Sequence, residues 1–70
     1  MRYIANAGVH GEAPRVHGTF RTVDDAADFL ADALGLSITA RRVLASDRYI
    51  TLRPATYRVA YAEIVVEDDE

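Results

Sequence analysis

The stretch Thr22-Val23-Asp24-Asp25-Ala26-Ala27-Asp28-Phe29-Leu30-Ala31-Asp32-Ala33-Leu34-Gly35 decides the fold, because it contains the clearest helix in the chain. Thr22 can accept hydrogen bonds from the first turn, and Asp25 follows three residues later as in a capping box. Gly35 is placed to end the helix in a left-handed conformation. The apolar side chains fall within an arc of about 120°, opposite the aspartates. The pattern predicts a helix over 23–34 that lies on a sheet through its alanine and leucine face.

Two strands are predicted before this helix. Residues 3–9 alternate in the manner of a strand whose two faces are both mostly apolar. Gly11 and Pro14 lie close together, which indicates a turn. In 15–21, apolar residues alternate with polar ones, as in a half-buried strand. We expect these two strands to form an antiparallel hairpin.

The segment that follows the helix has two interpretations. Alternation typical of a strand is shown by Ile38, Ala40, Arg42 and Leu44. Ser37 or Thr39 could equally cap a short helix. We favour a strand for residues 37–46 and keep the short helix as the alternative. Two further strands are predicted at 48–53 and at 57–66, where β-branched and aromatic residues are dense.

These segments together predict an α+β domain in the order ββαβββ. Its sheet is expected to be curved and antiparallel, with four to five strands and one helix on one face. A chain of 70 residues can build only one core, so residues 1–66 are expected to form a single domain. The acidic residues 67–70 are expected to be a disordered, solubilising tail.

Composition narrows the classes of protein to which the chain can belong. The absence of cysteine excludes disulfides and thiolate zinc sites, and it leaves self-association as the simplest source of extra stability. We see no secretory signal and no run of roughly 18 apolar residues, so a cytoplasmic protein without a membrane span is expected. The net charge of −3 argues against a dedicated DNA-binding protein.

One face of the predicted sheet is the best candidate for a binding surface. A helix of about 12 residues is roughly 18 Å long and covers one face of the sheet, not both. The uncovered face is rich in tyrosine, a residue type enriched at protein interfaces. We therefore predict a surface for a protein partner and for self-association, formed by Tyr49, Thr51, Arg53, Tyr57, Val59, Tyr61 and Val65. The alternative is that these tyrosines only line a solvated sheet.

Residue types used in catalysis and metal binding occur without the arrangement that either requires. His10, Glu12 and His17 supply too few ligands for a zinc site. Ser37 and Ser46 lack a nucleophile motif, and a domain of this size has little room for a concave pocket. The helix aspartates do not have the spacing of a calcium loop. We therefore predict no enzymatic activity, no metal, no cofactor and no small-molecule substrate.

Arginines in the second half of the chain support an alternative function. Arginine beside aromatic residues on a sheet can bind single-stranded nucleic acid through phosphates and stacked bases. The chain lacks the consensus aromatic motifs of the common RNA-binding sheet, and its acidic tail would repel phosphate. Ion pairing with the helix aspartates and the tail is therefore the favoured role of Arg41, Arg42, Arg48, Arg53 and Arg58.

The segment from Thr19 to Leu30 is a predicted strand that continues through a capping threonine into a helix rich in aspartate and alanine. This segment resembles short proteins encoded by bacteriophages of high-GC actinobacteria. The resemblance implies an accessory protein that binds a host factor in the host cytoplasm. The sequence thus predicts a non-catalytic, homodimeric protein-binding module, with single-stranded nucleic-acid binding as the alternative.

Overall fold

The computed structural model describes residues 1–68. Its elements are β1 (Arg2–Gly8), β2 (Val16–Phe20), α1 (Val23–Leu34), α2 (Ile38–Asp47), β3 (Tyr49–Thr51), α3 (Pro54–Tyr57) and β4 (Tyr61–Glu67). The strands form one antiparallel sheet in the order β2-β1-β4-β3. This architecture confirms the predicted α+β class and the four-stranded antiparallel sheet. The element order differs from the prediction, because the segment 37–46 expected to be a strand is a helix and the expected connection at Pro54 is a short helix that includes Tyr57.

Helix α1 forms as its sequence predicts. The side chain of Thr22 accepts a hydrogen bond from the backbone N–H of Asp25 at 3.1 Å. At the other end, Gly35 has φ 70° and donates its N–H to the carbonyl of Ala31. The helix buries Ala26, Ala27 and Leu30, so its apolar arc faces the sheet.

The core is built mainly from small side chains. Ala5 and Ala7 at the centre of β1 are fully buried, and their partners across the sheet on β4 are Ile64 and Ala62. Because alanine extends little beyond the backbone, a helix that packs on these positions can approach the sheet closely. The buried core comprises Ala5, Ala7, Ala26, Ala27, Leu30, Leu44, Leu52, Val59, Ala62 and Ile64.

Gly18 allows two aromatic rings to fill the end of this core. It lies opposite Ala5 in the sheet. A Cβ atom at Gly18 would lie 2.8 Å from the ring of Phe20 and 3.2 Å from the ring of Phe29. These two rings have centroids 5.0 Å apart. The absence of a side chain at position 18 therefore makes room for the aromatic pair.

The strand predicted at 37–46 is wrong, and the short helix that was kept as the alternative is present. Ser37 caps α2 by accepting from the N–H of Ala40 at 3.1 Å. Leu44 is fully buried, whereas Ile38 is 75% exposed. A strand would have placed these two side chains on the same face. In the helix, Leu44 instead points into the core and Ile38 points into the solvent.

The strand predicted at 57–66 begins later than expected, at Tyr61. Pro54 occupies the first turn of α3, where its missing N–H is not needed. Arg58 ends this helix at φ 64°. Tyr57 is consequently a helical residue packed against the core, and Val59 is buried with 3% exposure. The predicted strand placed both side chains on the uncovered face, and this placement is wrong.

The acidic end of the chain begins inside the sheet. Glu67 is the last residue of β4, lies opposite Arg2 in the register and forms an ion pair with it. Of the predicted disordered tail 67–70, residues 69–70 lie outside the described residues. Among residues 1–68, none of the helices combines the length and the apolar character required to cross a bilayer.

Substituting Leu44 and Ile38 separately tests the orientation of α2. Leu44→Ala should lower the free energy of unfolding by about 2–4 kcal/mol, because it leaves a cavity in the core. Ile38→Ala should change it by less than about 0.5 kcal/mol, because the side chain already contacts solvent. Urea unfolding followed by circular dichroism measures both values. Comparable losses for the two variants would indicate a strand and contradict the helix.

Candidate functional site

The helices pack on one side of the sheet and leave the other side uncovered. Residues that lie directly opposite each other in antiparallel strands share a face. The face of Ala5 and Ala7 is buried under the helices, so the alternate positions on each strand lie on the other side. We call this side the open face and define it by Ile4, Asn6, His17, Thr19, Tyr49, Thr51, Tyr61, Glu63 and Val65.

An aromatic row crosses one end of the open face. The rings of His10 and Tyr61 stack with centroids 4.9 Å apart and an interplanar angle of 25°. Tyr49 continues the row, with its ring 6.3 Å from that of Tyr61 and nearly parallel to it at 4°. Each ring therefore shields part of its neighbour from water. Tyr49 nevertheless keeps 42% of its surface exposed.

A polar row of His17, Asn6 and Glu63 crosses the middle of the open face. The Nδ2 group of Asn6 donates to Glu63 Oε2 at 3.3 Å, and Asn6 Oδ1 lies 2.6 Å from His17 Nδ1. An ionised carboxylate only accepts hydrogen bonds, so the amide nitrogen of Asn6 must face Glu63. The amide oxygen then faces the imidazole, and His17 Nδ1 must donate. When His17 is neutral, its Nε2 is therefore an unprotonated acceptor.

Beyond the polar row, aliphatic side chains form the remaining part of the open face. Ile4 lies opposite Val65 on one side and Thr19 on the other. Val65 is 43% exposed, although valine is among the residue types most often buried in proteins. The Arg2–Glu67 ion pair closes this end of the surface. The open face thus combines rings, a hydrogen-bonded centre and an aliphatic end.

The structure brings four of the predicted binding residues together and separates three. The four on the open face are Tyr49, Thr51, Tyr61 and Val65. Arg53 is exposed at the start of α3, while Tyr57 and Val59 belong to the core side. Sequence reasoning missed Ile4, Asn6 and His17 as members of this surface. The alternation in 3–9 and 15–21 could have identified them, because it places these three residues on the other face of the sheet from the residues that are buried.

The arginines divide into paired and unpaired groups. For Arg41 the predicted pairing with helix aspartates is confirmed, since its guanidinium bonds Asp28 and lies 3.9 Å from Asp24. The hydrogen bond to Asp28 raises the pKa of the Arg41 guanidinium above its ordinary value. This contact joins α2 to α1. Within residues 1–68, no carboxylate lies in ion-pair distance of Arg42, Arg48, Arg53 or Arg58.

Metal-ligating clusters and grooves are two further places where a site could lie in the described part of the chain. Residues 1–68 contain no cluster of three or more histidine and carboxylate side chains that could bind a metal ion. A groove of about 560 Å³ lies where β1 begins and β2 ends. Its lining contains no histidine, serine or carboxylate and consists of Met1, Arg2, Thr19, Phe20 and Arg21. The open face is therefore the best candidate for a functional surface.

The hydrogen-bond direction in the polar row predicts one tautomer for His17. When its imidazole is neutral, His17 should carry the ring proton on Nδ1, because that nitrogen donates to Asn6. Nitrogen-15 shifts of the histidine rings above neutral pH measure this directly. Asn6→Ala should weaken the preference, while His10, whose ring has no hydrogen bond to residues 1–68, serves as the internal control. Protonation of His17 on Nε2 in the unmodified chain would contradict the assigned row.

Comparisons with protein-family models, with curated proteins and with solved structures each find no match to this chain. The resemblance of 19–30 to proteins of actinobacterial phages therefore stays a prediction. No relative supplies a substrate, a partner or a residue role. The chemistry of the open face is therefore the main indication of what the chain does.

Proposed function

We propose that this chain is a non-catalytic protein-binding module that acts as a homodimer, with the open faces of two copies in contact. The observation that carries the proposal is the uncovered position of Tyr49 and Val65, each more than 40% exposed on a sheet face without helices. Apolar and aromatic side chains grouped on a surface are typical of association sites. Tyrosine contributes a rigid apolar ring and a hydroxyl that remains satisfied at a wet interface.

The distribution of polar groups favours a second copy as the occupant. His17 lies on β2, at one side of the sheet, and Glu63 lies on β4 toward the other side. A two-fold axis parallel to the strands at the centre of the sheet places β2 of one copy over β3 of the other, next to β4. Each imidazole then approaches the partner's carboxylate, twice in the same interface. Such complementarity fixes the register of the two sheets.

The dimensions of the open face predict a weak dimer that exchanges with the monomer. Four strands of up to seven residues give a footprint of roughly 19 by 23 Å. The product, about 440 Å², is roughly half of the area of about 800 Å² that specific, stable interfaces bury on each partner. The dimer should therefore dissociate at concentrations in the micromolar range, on the order expected for a small, partly polar interface.

The charge of the open face argues against nucleic acid as its ligand. Glu63 and Glu67 lie on the same side of the sheet as the tyrosines. Their carboxylates would repel phosphate, and the ion pair of Arg2 with Glu67 reduces the available positive charge. The aromatic row without a cationic lining lacks the combination that single-stranded nucleic acid requires.

Two valines of similar exposure provide a matched test of the dimer. Val65→Lys places a charge on the open face and should weaken dimerisation by about tenfold or more, because the ammonium group would be desolvated at the interface. Val43→Lys makes the same change on α2, where the valine is 38% exposed, and should leave dimerisation unchanged. Sedimentation equilibrium of the full chain over a range of concentrations measures both.

Monomeric behaviour of the unmodified chain at millimolar concentration would contradict the proposal, as would equal effects of the two lysine variants. Circular dichroism spectra and unfolding midpoints confirm that each variant is folded. A single-stranded oligonucleotide is titrated in parallel. Salt-sensitive binding of the oligonucleotide that depends on Tyr49 and Tyr61 would overturn the protein-binding function in favour of the nucleic-acid alternative.

A further inference from the structure

The two edges of the sheet differ in how well they are protected. Strand β3 is three residues long, begins directly after Arg48 in a left-handed conformation and is followed closely by Pro54. Short edge strands with nearby proline and charge resist the addition of another strand. Strand β2 is longer and pairs with β1 in continuous register from Tyr3↔Phe20 to Ala7↔Val16. It contains neither proline nor a bulge, and its outer side has no strand partner among the described residues.

Charge disfavours the pairing of this edge with a second copy of β2. The antiparallel register that pairs the whole strand with itself is centred on Gly18. It places Arg15 of each copy opposite Arg21 of the other, at both ends of the contact. Like charges directly opposite each other destabilise a strand pair. The β2 edge therefore has a surface distinct from the proposed dimer interface and calls for a different partner.

We infer that the free edge of β2 binds an extended segment of an unlike protein as an additional strand, and that this segment bears carboxylates six positions apart. The backbone groups on the outer side of β2 supply the hydrogen bonds of such an added strand. Arg15 and Arg21 flank the strand at the spacing of the two carboxylates. Arg21 is exposed and has no ion pair with any carboxylate of residues 1–68.

The surroundings of the two arginines are consistent with this ligand. Arg15 donates to the carbonyl of Arg58 at 2.9 Å, and its contact with Glu12 is exposed and 3.3 Å long. Exposed pairs of this kind are weak and exchange readily for another carboxylate. At the other end, Phe20 and Met1 are among the residues that line the groove beside Arg21. It can accept an apolar side chain next to the second carboxylate.

The probe for this site is a capped heptapeptide, Glu-Thr-Val-Thr-Val-Thr-Glu, titrated into the nitrogen-15-labelled full chain. Amide shifts and slowed hydrogen exchange should concentrate in residues 15–21 and be absent from β3. A matched peptide with lysine at both ends should bind at least about fivefold more weakly, because two attractive pairs become repulsive. A peptide N-methylated at alternate residues on one edge should not bind, because it cannot donate to β2.

A charge exchange completes the test. Arg21→Glu should weaken binding of the glutamate peptide. It should strengthen binding of a peptide that carries lysine only at the end beside position 21. Arg42→Glu on α2 should change the binding of neither peptide. Equal affinity for the glutamate and lysine peptides would overturn the inference, and so would amide shifts located at Tyr49 and Tyr61. The titration is repeated with Val65→Lys, so that binding at the β2 edge is measured independently of the proposed dimer.

Discussion

Contact between alanines of α1 and alanines of the central strands is the interaction on which the rest of the structure depends. Ala26 and Ala27 are buried together with Ala5, Ala7 and Ala62. Small side chains on both elements permit a short distance between helix and sheet, where dispersion contacts are dense. A domain of this size has only one such core. The other helices complete it from the same side, which leaves the opposite face of the sheet to solvent or to a partner.

Two surfaces with different chemistry result from this one-sided packing. The open face offers side chains, arranged as an aromatic row, a polar row and an aliphatic end, and it is suited to a broad contact with another face. The edge of β2 offers backbone hydrogen-bonding groups between two arginines. A side-chain surface selects its partner by shape and charge complementarity, whereas a strand edge selects by extended conformation and by the residues at its ends. The two proposed contacts can therefore coexist on one molecule.

The part of the candidate site that sequence could predict follows from local periodicity. Tyr49, Thr51, Tyr61 and Val65 lie in true strands, so alternation assigned them to the correct face. Tyr57 and Val59 were assigned incorrectly because the last strand was predicted to begin at Tyr57, which is the final residue of a helical turn, whereas β4 begins at Tyr61. His17 and Asn6 belong to the polar row only because β2 and β1 pair in a particular register. No local pattern specifies that register.

The sequence by itself determined α1, its caps, the preceding hairpin and the α+β class, because capping residues, glycine and apolar periodicity act over a few neighbouring positions. Only tertiary structure decided residues 37–47. Their alternation is compatible with a strand, but burial of Leu44 and the contact of Arg41 with Asp28 exist only when this segment is a helix beside α1. Tertiary packing also decided which strands form the edges. Burial and ion pairing between residues that are distant in the sequence outweigh a weak local preference for a strand. A short stretch of sequence does not contain these contacts, so it cannot predict the outcome.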